Sequence, residues 1–313
     1  MKKILLSVVC LVMVGMQSVK AQVGIVALHH EGNVTVFGED KLANAIEAAV
    51  AGDTIYMSEG HFLGDVTINK AIHLVGSGQG TMVNGDVNID IENNPSLTGY
   101  MLVGLNINGD VQPKKSIDGL RISQCKLKDF QAVQNISLTH FYMERSYLSA
   151  FYTTSLDDGT VNNCKIGSIQ DIAPIARSYF YHCNIGYYNT NSGSPIGIMA
   201  INCIINEDNG QSYNVYQNCL FKYLNSGYPV NGENCWGHDQ WSETIFDSEL
   251  NDVLSDQELL ANGYIGTDNT VVGITGGDAP YTLKLITPRV LEHNIVVDKE
   301  NKKLNVTLTV GTE

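Results

Sequence analysis

Positive charge is scarce in this chain. Its 313 residues carry 19 Lys and Arg against 33 Asp and Glu, and only Arg121, Arg145, Arg177 and Arg289 are arginines. The formal charge is −14, and −17 once Lys2, Lys3 and Lys20 leave with a cleaved leader. Neutralising phosphates takes clustered Lys and Arg, so this balance argues against a nucleic-acid partner. Long apolar runs are also missing. No stretch after Met16 is apolar for long enough to make a membrane helix, so no transmembrane segment is expected after cleavage. Zinc-type spacing is absent too, with no Cys-x-x-Cys and no supporting His spacing. What remains is a chain of 43% hydrophobic and 17% charged residues, enough to bury a core.

The start of the chain reads as a Sec-type signal peptide over residues 1–21. Met1-Lys2-Lys3 is positive, Ile4 to Met16 is mostly apolar, and Val19-Lys20-Ala21 places small residues at −3 and −1 before Gln22. The alternative is a buried N-terminal strand. Cys10 follows Val9 rather than Gly or Ala, which is weak support for a lipoprotein. The expected location is therefore secreted, periplasmic or at the cell surface.

A repeat of about twenty residues dominates the rest. Asn-Cys recurs at Asn163-Cys164, Asn202-Cys203, Asn218-Cys219 and Asn234-Cys235. With the Cys as anchor, the frame extends to Gly60, Thr81, Leu105, Cys125, Ser146, Cys164, Cys183, Cys203, Cys219 and, less regularly, Cys235. Two places on stand Phe62, Val83, Ile107, Leu127, Leu148, Ile166, Ile185, Ile205 and Phe221, all apolar. Three places before stand Leu102, Ile122, Met143, Val161, Phe180, Ala200 and Tyr216. The place before the anchor is polar, as at Gln124, Arg145, Asn163, His182, Asn202 and Asn218. It marks a bend where Asn tolerates the left-handed conformation. A unit this short cannot cover its own apolar side. It must stack on its neighbours, which turns each strand into a parallel sheet with a spacing of about 4.8 Å.

The expected fold is thus all-β: a right-handed parallel β-helix of about ten rungs, a solenoid wound from a single chain. Residues 22–39 form an N-terminal segment, and 40–275 hold the solenoid with its capping helix. The helix is expected over Asp40 to Ala51, with Leu42, Ile46, Ala49 and Val50 on one face. Ser255-Asp256-Gln257-Glu258 reads as a capping box opening a short helix that Gly263 closes. Residues 276–313 are expected as a C-terminal cap, a β-hairpin that pairs Asn294–Asp298 with Leu304–Val310 and covers the far end.

These features resemble the secreted parallel β-helix proteins of the pectin-lyase-like superfamily over roughly residues 40–275. Leu42-Ala43-Asn44-Ala45-Ile46 with Ala51-Gly52-Asp53-Thr54-Ile55-Tyr56 looks like that group's first helix and rung. Ile72-His73-Leu74-Val75-Gly76-Ser77-Gly78 looks like its next strand and glycine turn. Leu28-His29-His30-Glu31-Gly32 and Thr275-Gly276-Gly277 are similar to a bacterial exported subgroup of unassigned activity. The resemblance implies a fold shared by lyases, hydrolases, esterases, adhesins and passive stalks, so it does not fix a function.

Six Cys in an exported chain suggest three disulfides. The repeat favours another reading. Parallel neighbours keep their Cβ atoms near about 4.8 Å, beyond the roughly 3.5–4.5 Å of a disulfide. The column then consists of small buried hydrophobes.

Gly-Asp-Val occurs three times and stacks Asp65, Asp86 and Asp110 in one column that ends where Phe130 takes the next place. Carboxylates a rung apart repel unless water, a raised pKa or a cation relieves them. Ca²⁺ is the candidate cation and these three Asp its ligands. The plainer reading is three solvated turns.

Residues 114–177 hold eight Lys and Arg and six acids, a net +2 within a strongly acidic chain. Lys126, Tyr147 and Lys165 share the outward place after the anchor, and Arg145 lies nearby. Such a face suits an anionic polysaccharide or surface glycan, against the plainer reading of a solvated face.

Catalytic signatures are thin. Asp157-Asp158 is similar to the paired acids of the polygalacturonase branch, but that branch's Gly-His-Gly and Arg-Ile-Lys are absent. A lyase needs a cation and a base near the uronate α-carbon, and none of the four Arg lies in a recognisable lyase motif. His29-His30 point opposite ways on a strand. His238-Asp239 between Trp236 and Trp241 suggests either a sugar-stacking patch or the end of a core. The expectation is an exported, non-catalytic β-helix that binds glycans or the cell surface. A polysaccharide lyase or glycoside hydrolase, or a passive adhesin module, is the alternative.

Overall fold

The computed structural model describes residues 24–38, 41–92, 99, 101–170, 178–189, 197–208, 214–221, 232–237, 254–284, 289–298 and 303–311. The leader expected over 1–21 lies outside these residues, as do Arg177, His238, Asp239 and Trp241.

The chain winds into a parallel β-helix walled by a 12-stranded and a 13-stranded sheet. The first sheet runs from Asn33–Phe37 and Val26–His30 through Thr54–Met57 and His73–Val75 to Gly232–Glu233. The second runs from Gly60–Leu63 through Thr81–Asn84, Asn106–Pro113, Lys126–Thr139 and Tyr147–Asp157 to Trp236–Gly237. Pairing follows the anchor frame rung by rung. Gly60 faces Thr81, Met82 faces Asn106, and Asn106 faces Lys126. The line continues through Tyr147, Lys165, Asn184, Ile204, Leu220 and Trp236. The solenoid makes about seven turns, slightly fewer than the rungs expected.

The inward columns are buried as expected. Every residue from Phe62 to Phe221 in the column after the anchor is at most 2% exposed, and Leu102 to Tyr216 before it at most 1%. Between them the chain turns through left-handed residues: Gln124, Arg145, Asn163, His182, Asn202, Asn218 and Asn234 all have φ between 45° and 56°. A single such residue lets the chain corner within three positions, which a β-region residue cannot do.

Helix α1 spans Leu42–Ala48, shorter than expected, and buries Leu42, Ala45 and Ile46. Ala49 is also buried, while Val50 is 49% exposed and belongs to the turn. The Lys70 ammonium donates to the carbonyls of Ile46, Glu47 and Ala49 at 3.2, 2.7 and 2.7 Å, a cation on the helix C-terminus. Helix α2 spans Asp256–Ala261 with both halves of the Ser255/Glu258 capping box, and Gly263 at φ 74° ends it. Within the N-terminal segment, Val26–His30 and Asn33–Phe37 form an antiparallel hairpin turned by Glu31 and Gly32, both left-handed. The terminal hairpin forms as its own sheet, Arg289–Asp298 on Lys303–Gly311.

All six described Cys are free thiols; five are fully buried and Cys235 is partly exposed. Burial pushes Cys125 and Cys164 up to about 12. A hydrogen bond from Cys219 lowers Cys235. Native protein should therefore label first at Cys235, and denatured, unreduced mature protein at nearly six thiols. Mass spectrometry after alkylation would show a disulfide-bonded column instead by labelling none.

Candidate functional site

The outward faces of the two sheets carry the candidate sites, because the interior is closed by side chains. On the second sheet the column after the anchor changes character along the stack. Lys126 is exposed and Tyr147 partly so, but Lys165 is 7% exposed. Asn184, Ile204 and Leu220 beyond it are buried. The long basic face expected from the sequence therefore stops at Tyr147.

Over Asn184, Ile204 and Leu220 the cover is a strap. Residues 254–284 run back along the outside of the solenoid, from its last rungs toward earlier ones. Leu259, Tyr264, Val271 and Val272 pack on Ile204 and Leu220, with Trp236 and Leu254 against them. Trp236 meets the Tyr264 ring at 5.6 Å, so the only described member of the Trp pair closes this apolar cluster. The strap runs on through residue 276 to Lys284.

The corner residues hold it. Asn202 accepts from the Thr267 amide at 3.1 Å, and its own carbonyl accepts from Gly273 at 2.7 Å. His182 bonds the Asp268 carboxylate at 2.8 Å and the Gly273 carbonyl at 3.2 Å. Asn163 donates to the carbonyls of Ile274 and Gly276, and Gln124 to those of Thr282 and Lys284. From sequence this column reads as bends alone. The signal was present, since Asn, His and Gln offer side-chain hydrogen bonds that a glycine bend does not.

A groove of about 320 Å³ opens where the strap does not reach. Asn106, Asn108, Lys126, Lys128, Tyr147 and Ser149 line it. The Lys126 ammonium lies 6.0 Å over the Tyr147 ring. Lys128 pairs with Asp110 at 3.1 Å. Of the four residues proposed for glycan binding, Lys126 and Tyr147 meet here. Arg145 sits at a corner, with its guanidinium on Glu144 at 2.7 Å, and Lys165 is covered. Lys128, Asn106, Asn108 and Ser149 were missed, because the strand length that aligns them is set by pairing.

Asp65, Asp86 and Asp110 do stack, but they act as hydrogen-bond acceptors along the stack. Asp65 Oδ1 accepts from the Asp86 amide at 2.8 Å, and Asp86 Oδ1 from the Asp110 amide at 2.9 Å. Gln112 donates to Asp86 Oδ2, and Gln131 to Asp110 Oδ2. The amides, side-chain amides and Lys128 relieve the repulsion that prompted the Ca²⁺ expectation. Among the described residues no group of three or more His, Cys, Asp or Glu is arranged to hold a metal. The column also continues, because a register shift sets Asp129 beside Asp110 and moves Phe130 beside Val111. Burial first, then the Asp110 charge, pushes Asp129 up.

Asp158 is a left-handed turn residue at φ 50° and belongs to a cluster with His140. His140 Nδ1 bonds Asp118 at 2.6 Å, and Asp158 lies 3.7 Å from its other nitrogen. The Asp118 hydrogen bond raises His140 above its ordinary value, and His140 in turn lowers Asp118. A raised histidine stabilises fully below its unfolded pKa and stops doing so as pH rises through the folded one. The lowered Asp118 stabilises above its unfolded pKa and is lost as pH falls through its folded value. Proton NMR should show His140 titrating above a free imidazole, and Asp118→Asn should return it to the ordinary range. An unchanged titration would remove the pair. His29 instead meets the Tyr56 ring at 4.7 Å, and His30 bonds buried Asp53 at 2.8 Å, so the two point apart as expected.

No protein-family model, curated protein or solved structure matches this chain. The parallel β-solenoid stands on the structure itself, and no helix among the described residues is long and apolar enough to cross a membrane.

Proposed function

We propose that this is an exported, non-catalytic member of the pectin-lyase-like group that binds acidic glycans or a glycan-bearing surface through the Lys126–Tyr147 groove. The observation that carries the reading is the groove's lining. It sets the Lys126 ammonium, the Lys128 ammonium shared with Asp110, amides, a hydroxyl and one aromatic ring on a strip of parallel strands, with no carboxylate among its described lining residues. Carboxylates or sulfates of a polymer chain pair with the ammoniums, while a sugar face rests on Tyr147. Hydrolysis of a glycosidic bond needs two carboxyls across the bond, and this lining supplies none. Export is supported by the Sec-type leader read in residues 1–21.

Calorimetric titration with polygalacturonate is the test, with neutral dextran as control. Lys126→Ala should weaken binding by about tenfold, the equivalent of roughly 1.4 kcal/mol. Tyr147→Ala should weaken it without changing its salt dependence. Release of unsaturated products, followed by ultraviolet absorbance, would replace this reading with a lyase. No binding and no product would leave a structural or adhesin module.

A further inference from the structure

A second cleft, on the other sheet, has the opposite electrostatic character. It measures about 460 Å³ and lies between the outward face of the first sheet and the strap. The sheet side is one register column, Asn162 beside Tyr181, then Ile201, then Gln217. The strap side carries Asp268 and Asp278. Among its described lining residues there is no Lys or Arg, and the His182 imidazole is turned onto Asp268.

Its acceptors are held in place, and one of them has no donor among the described residues. Asp268 Oδ1 accepts from the Thr270 amide at 3.1 Å and hydroxyl at 2.9 Å, and Oδ2 lies 2.8 Å from His182 Nε2. The side chain remains 37% exposed. Burial alone pushes Asp268 up, but the Thr270 and His182 contacts outweigh it and keep the carboxyl below its usual value. Asn163 lines the same cleft and is 1% exposed. Its amide nitrogen is committed to two strap carbonyls, and its Oδ1 is buried with no partner among the described residues. An aromatic face is also present, since Tyr181 stacks on Tyr179 at 5.8 Å with the rings 8° apart.

We propose that this cleft binds a hydroxylated ligand carrying a protonated amine, of the amino-sugar class. An ammonium offers three donors and no acceptor, which matches two carboxylates and an unpartnered carbonyl oxygen. It also gains from an aromatic face. The amides of Asn162 and Gln217 serve hydroxyl groups, and the volume falls in the small-molecule range of roughly 300–1,000 Å³. The chain's net charge of −14 draws a cation toward it. An acidic glycan is disfavoured here, so this site is independent of the Lys126 groove.

The test uses glucosamine, glucose and glucuronate, which differ mainly in charge, in parallel calorimetric titrations at mildly acidic pH. Glucosamine should bind roughly tenfold more tightly than glucose, the scale of one charge-assisted hydrogen bond, and glucuronate should not bind. Asp268→Asn should abolish that preference. Because Asp268 also pins the strap, Asp278→Asn and Gln217→Ala are the paired variants. Both should weaken glucosamine binding with an unchanged melting temperature. Lys126→Ala should leave it intact. Equal affinity for glucose and glucosamine, no saturable binding of either, or insensitivity to both paired variants would overturn the proposal.

Discussion

Replacing Phe151 with Ala should cost about 3–5 kcal/mol of folding stability, read from denaturant midpoints. Phe151 is 1% exposed and stands in register with Phe130 on the preceding rung. Phe130, Phe141 and Phe151 form a buried triad with ring centroids 5.3, 5.3 and 5.7 Å apart. Truncation removes the transfer free energy of one ring and opens a cavity against the other two. The backbone cannot collapse into that cavity, because both flanking strands are tied by parallel hydrogen bonds along Lys126–Thr139 and Lys165–Gln170. A loss below about 1 kcal/mol would mean the triad is not packed as described.

The second large effect is expected at Gly85. A methyl group there would sit 2.3 Å from the Gly64 carbonyl oxygen and 2.4 Å from its carbon. The same holds one rung on, where a Cβ at Gly109 would meet the Gly85 oxygen at 2.3 Å and Asp86 Oδ1 at 2.6 Å. All of these are short of van der Waals contact, and most involve backbone, which has little room to move in a stack. Gly85→Ala should destabilise by about 1–3 kcal/mol or more through overpacking. Asp86→Asn keeps an oxygen for the Asp110 amide and should cost less. If the two variants melt alike, the close approach of the rungs is not what the glycine serves. The comparison also reinterprets the Gly-Asp-Val repeat. Read from sequence, its carboxylates suggested a cation. In the structure the glycine permits the rungs to touch, and the carboxylate caps the amide of the next rung.

The proposed site was only partly legible. Lys126 and Tyr147 were legible because both occupy an outward repeat position near the middle of the stack. Lys165 occupies the same position yet is covered, and nothing within its own repeat says so. Arg145 was placed near the face by sequence distance, whereas its left-handed bend turns it to a corner and onto Glu144. The acidic cleft was not foreseen at all. His182 and Asp268 are 86 residues apart, and neither belongs to a local motif with the other.

What the sequence alone determined is the period of the solenoid, its inward columns, its bends and its one capped helix. Each of these depends on interactions that repeat every rung or close within a few residues, so a periodic apolar pattern and a left-handed Asn suffice to specify them. What only the tertiary structure decided is which outward surfaces remain open. That depends on a strap whose side-chain contacts with the corner column span 65 to 160 residues of chain. Such contacts leave no period in the sequence, because they are made once.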